Sequence, residues 1–367
     1  MRRSAAFDAL CRCGRAWLAG AETVTLSPPD WDVLLGRARH ERLTPVLHAL
    51  FARARVTPVP PARFVEALAQ DHRASLGRSL LRLAALEEVV ARLQGQGIQT
   101  MVLKGLSLAE TLYGDPALRP MDDVDLLVSR HEARAVRDVL SGLGYAAPSF
   151  EDDVRRRAAT EFVPAGPVST RPVIDLHWTL VDDKSGPAAW RWAAHAAERS
   201  RTVTLGHATV GALAPADALV HACLHLVANH GLGGLLWYCD IALMLDRWGD
   251  EIDPDAVVDA ATTARVAGAV AVALAGACDT LGAPVPPALV AALRRRSIGG
   301  ALLAHRPVIH RLARRPVPFQ DYVVPLLMLD HPRDAAWVVA RRLGAARRES
   351  CEVPRTVPPV SNAAGSG

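Results

Sequence analysis

The stretch MVLKGLSLAETLYGDPALRPMDDVDLLV, residues 101–128, decides how this chain is read. It begins inside a short apolar run, residues 98–103, that follows the helix-stopping Gly95 and Gly97 and reads as a buried strand. Residues 107–113 read as a helix, Gly114-Asp115-Pro116 as a turn, and residues 124–128 as a second buried strand. Asp123 and Asp125 lie two apart along that strand, so both side chains point to one face and Val124 to the other. Two neighbouring carboxylates repel and raise each other's pKa, an arrangement tolerated when a cation sits between them. Oxygen ligands of this kind favour magnesium or manganese.

Working outward, residues 130–143 read as a helix that ends at Gly144, and residues 172–180 (RPVIDLHWTL from 171) hold a third strand. There Ile174, Leu176 and Trp178 alternate with Asp175 and His177, which places Asp175 within reach of the same acidic face. Three carboxylates on adjacent strands make a clamp for two metal ions, one holding a triphosphate and one activating a hydroxyl. Upstream, Lys104-Gly105 opens a helix: the glycine lets a phosphate approach the backbone, the helix start presents free N–H groups, and Lys104 adds a point charge. Ser107 lies two residues on, and Arg119, just before the acidic pair, is a further candidate for phosphate contact.

The strand, helix, strand, helix, strand order predicts an α+β fold: a small mixed sheet with helices on one side. Residues 201–205 and 209–213 add a hairpin at its edge. Residues 1–97 read as an N-terminal helical region, with Leu80, Leu83, Leu86, Val89, Val90 and Leu93 at helical spacing. The catalytic core is expected at 98–214 and a C-terminal helical domain at 215–348, with one helix running from 255 to 281. Residues 349–367, rich in Pro, Gly and Ser, are expected to be a disordered tail.

Composition narrows the function classes. The 367 residues are 50% hydrophobic and 22% charged, which marks a globular chain with a sizeable core. The net charge of +4 suits a protein that handles phosphates but excludes an argument for duplex nucleic acid as a partner. All but two of the basic residues are arginine; Lys104 and Lys184 are the exceptions. The six cysteines are scattered, Cys11 and Cys13 lack a second ligand pair at zinc spacing, and no signal-type apolar segment precedes them, so a reduced, cytoplasmic chain is expected. The most apolar stretch, residues 266–278, is too short to span a bilayer and reads as a buried helix.

The motifs resemble those of an uncharacterised nucleotidyltransferase family within the polymerase-beta-like nucleotidyltransferase superfamily. The resemblance rests on Leu103-Lys104-Gly105, Leu112-Tyr113-Gly114, Arg119-Pro120-Met121 and Asp123-Val124-Asp125-Leu126-Leu127-Val128. It extends to Ile174-Asp175-Leu176-His177-Trp178 and, more weakly, to the helical stretch with His225, His230 and Asp240. It implies the polymerase-beta-like catalytic fold, Mg2+ or Mn2+ on Asp123, Asp125 and Asp175, and a nucleoside triphosphate (ATP, CTP, GTP or UTP) as co-substrate. Lys104 and Gly105 stand where better-known members carry a Gly-Ser pair. The acceptor implied is a hydroxyl of a peptide, sugar or small molecule, in natural-product or exopolysaccharide biosynthesis. His177, His225, His230 and Asp240 are candidates for an acceptor or base pocket; His221 and His225 share a helix face but lack the glutamate of a metalloprotease motif. Two rival readings are a non-catalytic nucleotide-binding subunit and the same fold transferring another phosphoryl or glycosyl unit. The residues do not tell the oligomeric state.

Overall fold

The computed structural model describes residues 2–27, 29–166, 170–182, 184–297, 324, 326 and 328–342. The expected tail at 349–367 lies outside these residues, as does the end of the last helix expected beyond 342. The chain opens with α1 (Arg2–Leu18), β1 (Thr23–Thr25), α2 (Trp31–His40), α3 (Thr44–Arg53), β2 (Arg55–Thr57) and the long α4 (Ala62–Gln94). The central part follows as β3 (Met101–Val102), α5 (Lys104–Leu108), β4 (Asp123–Leu127), α6 (Ala133–Gly142), β5 (Tyr145–Ala146), α7 (Phe150–Arg156), β6 (Ala159–Pro164), β7 (Val173–His177), α8 (Gly186–Glu198), β8 (Arg201–Leu205) and β9 (Ala208–Ala212). Helices α9 (Pro215–Ala228), α10 (Leu235–Arg247), α11 (Pro254–Thr263), α12 (Ala267–Leu281), α13 (Pro287–Arg294) and α14 (Pro332–Arg342) complete it.

The architecture is the expected mixed α and β fold. Its seven-stranded sheet has the order β5-β6-β7-β4-β3-β9-β8. The acidic strand β4 is central, parallel to β7 and antiparallel to β3. Strands β3 and β9 run parallel and join at Met101 and Gly211, where a Cβ on the glycine would meet the Met101 Cγ at 2.6 Å. That close approach requires a residue without a side chain.

Helices cover both faces of the sheet, not one. On the first face Val124, Leu126, Ile174 and Leu176 pack with Leu86, Val89, Val90 and Leu93 of α4 and with Val136 and Leu140 of α6. The other face carries the acidic residues, and beside them Met101, Leu103 and Leu127 join a core made with the C-terminal helices. That second core also contains Phe7, Leu10, Leu34, Leu47 and Leu68, so α1–α4 share one apolar interior with α9–α13. No described helix is long and apolar enough to cross a membrane.

Four details depart from the sequence-based expectation. The N-terminal region holds a small parallel sheet, β1 with β2, whose alternation is only three residues long. Strands β5 and β6 extend the main sheet beyond β7. The helix expected over 255–281 is two helices, broken where Arg265 takes a left-handed backbone (φ 56°). Leu80 is 52% exposed, because the middle of α4 turns a polar edge inward: Ser75 and Ser79 donate to the Ala117 and Pro116 carbonyls, and Arg82 to that of Asp122. A helix is thereby used to hold the loop that leads into β4.

Leu126 is fully buried on the central strand. Leu126→Ala is expected to cost about 2–5 kcal/mol, read as a lower denaturation midpoint with an unchanged slope in urea titration.

Candidate functional site

The parallel pairing of β4 and β7 places Asp125 directly beside Asp175 and Leu127 beside His177. Since paired neighbours share a face, and residues two apart on a strand share it too, Asp123, Asp125, Asp175 and His177 emerge together. His177 Nε2 lies 2.9 Å from Asp175 Oδ2 and 3.2 Å from Asp125 Oδ1. From the other side the Lys104 Nζ donates to Asp125 Oδ1 at 2.6 Å. One ligand atom from each of Asp125, Asp175 and His177 lies within 4.8 Å of the others, the only such group of possible metal ligands among the described residues.

The charges here are interdependent. Burial would raise the Asp125 pKa, but the Lys104 ammonium and the hydrogen bond from His177 outweigh it and hold this carboxyl well below the usual range. Asp123 accepts no hydrogen bond from either, and the Lys104 charge offsets its burial only in part. Burial, and then repulsion from Asp125, push its carboxyl up to about 6. Burial alone would lower His177, yet the charge of Asp175 and the bonds to both carboxylates raise it to about 9. Lys104 is likewise raised against the cost of its burial, chiefly by Asp125. Asp125 is thus held by Lys104 and His177, Asp175 by His177, and Asp123 by a hydrogen bond from neither. The donor set, carboxylate oxygens with one imidazole, fits a hard or intermediate divalent cation.

Lys104 and Gly105 are where the local backbone departs most from regularity. Lys104 has φ 25° and Gly105 φ 8° with ψ −100°, neither of them helical. The regular helix start expected there is therefore a strained turn, followed by the short α5 and a π-helical turn, Ala109–Tyr113. Backbone strain of this sort persists where surrounding structure over-determines it. A Cβ on Gly105 would stand 3.6 Å from Asp125 Oδ2 and 3.8 Å from Arg119 Nη1, so this turn lies against the carboxylates.

The remaining candidates divide. Arg119 is buried and forms a two-pronged pair with Asp240: Nε to Oδ1 at 2.9 Å and Nη2 to Oδ2 at 2.8 Å. The Tyr113 hydroxyl donates to the same Oδ1 at 2.7 Å. Asp240 is thus engaged by Arg119 and Tyr113, while Arg119 Nη1 faces Gly105. Ser107 is buried and lines a small cavity with Lys104, Arg119, His221 and Asp240. His221 is held by the Leu180 carbonyl at 2.9 Å. His225 and His230 meet through Nε2 at 3.0 Å, and His230 stacks on Trp237 with centroids 4.2 Å apart.

Two clefts meet at the acidic cluster. One, about 550 Å³, is lined by Asp123, Asp125, Lys104, Gly105, Arg42 and Trp237. The other, about 990 Å³, is lined by Asp175, His177, Lys184, Thr160 and Asp182. Lys104, His225 and Asn229 border both. Arg42 and Asn229 carry no motif in the sequence; their place becomes visible only when α2 and α9 are packed.

A family model described as an uncharacterised nucleotidyltransferase matches residues 27–282, more than two thirds of the chain, and that span contains every site residue named above. No curated protein and no solved structure matches the chain.

The Arg119–Asp240 pair is a buried ion pair, which is costly to break from one side. Asp240→Asn is expected to destabilise the protein by about 3 kcal/mol or more by stranding the Arg119 charge. The double variant Arg119→Met/Asp240→Asn should recover part of that loss, since no unpaired charge remains. Denaturant titration of the three proteins checks both statements.

Proposed function

The chain belongs to this uncharacterised nucleotidyltransferase family and is a transferase of phosphorus-containing groups, and from that premise we propose that it moves a nucleoside monophosphate from a nucleoside triphosphate to an acceptor hydroxyl. The observation that carries the reading is the register of β4 and β7, which sets Asp125 beside Asp175 with Asp123 two residues away.

Asp125 and Asp175, grouped with His177 as possible ligands, would hold the divalent cation, magnesium or manganese, with Asp123 two residues before Asp125 on the same face as the third carboxylate. When bound, the cation supplies neutralisation of phosphate charge and lowers the pKa of a coordinated hydroxyl. Asp123, Asp125 and the Lys104-Gly105 turn lie on the narrower cleft, which suits the nucleotide. Asp175 and His177 lie on the wider one, whose polar lining suits a peptide, sugar or small-molecule acceptor. The acceptor oxygen attacks the α-phosphorus and its proton passes to Asp175. The bond to the bridging oxygen breaks, and pyrophosphate leaves with that electron pair. Catalysis then comes from positioning and charge, with no nucleophile from the chain.

Incubation with each of the four nucleoside triphosphates, Mg2+ or Mn2+ and candidate hydroxyl acceptors should release pyrophosphate and add a nucleoside monophosphate mass to the acceptor. An adduct of any other mass would defeat this reading. Asp123→Asn and Asp175→Asn should each lower turnover by about a hundredfold or more. The stability of Asp123→Asn goes the other way. Its carboxyl is pushed up to about 6, so stability from the protonated form is present at low pH and lost as pH rises through that value. At pH 7 the asparagine removes the repulsion, and this inactive variant should melt no lower than the parent.

A further inference from the structure

Helix α2 ends in a hydrogen-bonding pattern that normally calls for glycine. The Leu43 N–H reaches the Ala38 carbonyl at 2.9 Å and the Arg42 N–H reaches the Arg39 carbonyl at 3.1 Å. This double closure requires the residue just past the helix to adopt a left-handed backbone, which glycine takes without strain. The residue there is Arg42, at φ 59°.

The fold shows elsewhere what justifies an arginine in this conformation. Arg265 closes α11 in the same way at φ 56°, and its guanidinium pairs at 3.3 Å with Asp334, whose side chain is 3% exposed. Arg42 has a weaker reason of that kind. Its ion-pair partner Asp122 is 73% exposed, and a pair so open to water contributes little to stability. The backbone beneath Arg42 is meanwhile firmly held: the neighbouring Glu41 is buried, pairs with Arg37 and accepts the Leu235 N–H at the start of α10 at 2.7 Å. The guanidinium of Arg42, a third exposed, is thereby suspended over the cleft that Lys104, Gly105, Asp123 and Asp125 line.

We propose that Arg42 is a phosphate-binding residue: when the triphosphate enters this cleft, the Arg42 guanidinium exchanges Asp122 for phosphate oxygens. An arginine presents paired N–H donors matched to phosphate, and its charge adds to that of Lys104 where the acids leave positive charge scarce. The strained helix end is kept because glycine there would remove the donor. The inference deepens the transferase reading and rests on it.

The test uses the full chain with Mg2+ and inorganic pyrophosphate as the calorimetric probe, repeated with ATP, CTP, GTP and UTP. Arg42→Gly is expected to weaken pyrophosphate and the preferred triphosphate by about tenfold or more, the effect of losing a charged hydrogen bond. It should melt no lower than the parent, because glycine relieves the backbone. Asp122→Asn, which frees Arg42 from its protein partner, should leave the affinity equal or tighter. Binding by Arg42→Gly within twofold of the parent overturns the proposal. So does equal weakening by Arg42→Gly and Asp122→Asn, whatever their melting temperatures, since that would make the ion pair structural. Failure of the parent itself to bind pyrophosphate or any of the four nucleotides is a separate result, and it would remove the transferase reading underneath.

Discussion

Repulsion among carboxylates forced onto one face of a sheet is the constraint that organises this protein. Asp125 and Asp175 cannot separate, because each is fixed by the register of a buried strand whose alternate residues fill the core behind it. Water is partly excluded, so the repulsion is felt more strongly than on an open surface. The chain answers with Lys104 and His177, both drawn to Asp125, and leaves Asp123 with a carboxyl raised to about 6. A site that satisfies one acid fully and another poorly has room for one more positive charge. On the proposed reading a divalent cation would meet that demand, and the fixed spacing of Asp125 and Asp175 would keep the reorganisation on its arrival small.

The rest of the scaffold exists to hold the walls of the two clefts at a set distance from that face. Helices α1–α4 and α9–α13 share one apolar core, so the cleft walls cannot drift apart without exposing it. Polar ties reinforce the same junction. Glu41 reaches from the end of α2 to the start of α10, and Arg119 reaches from the loop before β4 into α10 at Asp240. The three inward polar residues of α4 hold that loop from behind. The loop between β3 and β4 is therefore clamped from two directions, and Lys104-Gly105 can sustain its strained turn there.

Much of this was legible in the sequence, and unevenly. The period of two across Asp123, Val124 and Asp125 sets their faces, and the family motifs supplied the meaning that composition lacks. Asp175 was reachable because it interrupts a third apolar run. The short strands β1, β2 and β5 were not legible, because two or three residues carry no periodic signal. The break at Arg265 was hidden because an arginine, not a glycine, takes the left-handed conformation. Arg119 stands beside the acidic pair in sequence and reads as a phosphate ligand. Its salt bridge is with a residue 121 positions away, a relation that no local pattern encodes. Arg42 was invisible for the same reason: its position over the cleft is a property of how α2 packs.

The buried histidines near the acids add little positive charge there. Burial, followed by the nearby Lys104 charge, lowers His221 and His230 to about 4 and takes His225 well below the ordinary value. These rings are therefore uncharged at neutral pH and act as donors, acceptors and stacking surfaces. Positive charge in contact with the acids comes from Lys104 and His177, with Arg82 and Arg119 close by and Arg42 paired to the neighbouring Asp122. A site with many cations would bind phosphate in the absence of metal and would hold pyrophosphate after transfer. With Lys104 and His177 already committed to acids, a divalent ion on the same carboxylates would, on the proposed reading, supply much of the attraction for phosphate and so couple nucleotide capture to the loading of the metal.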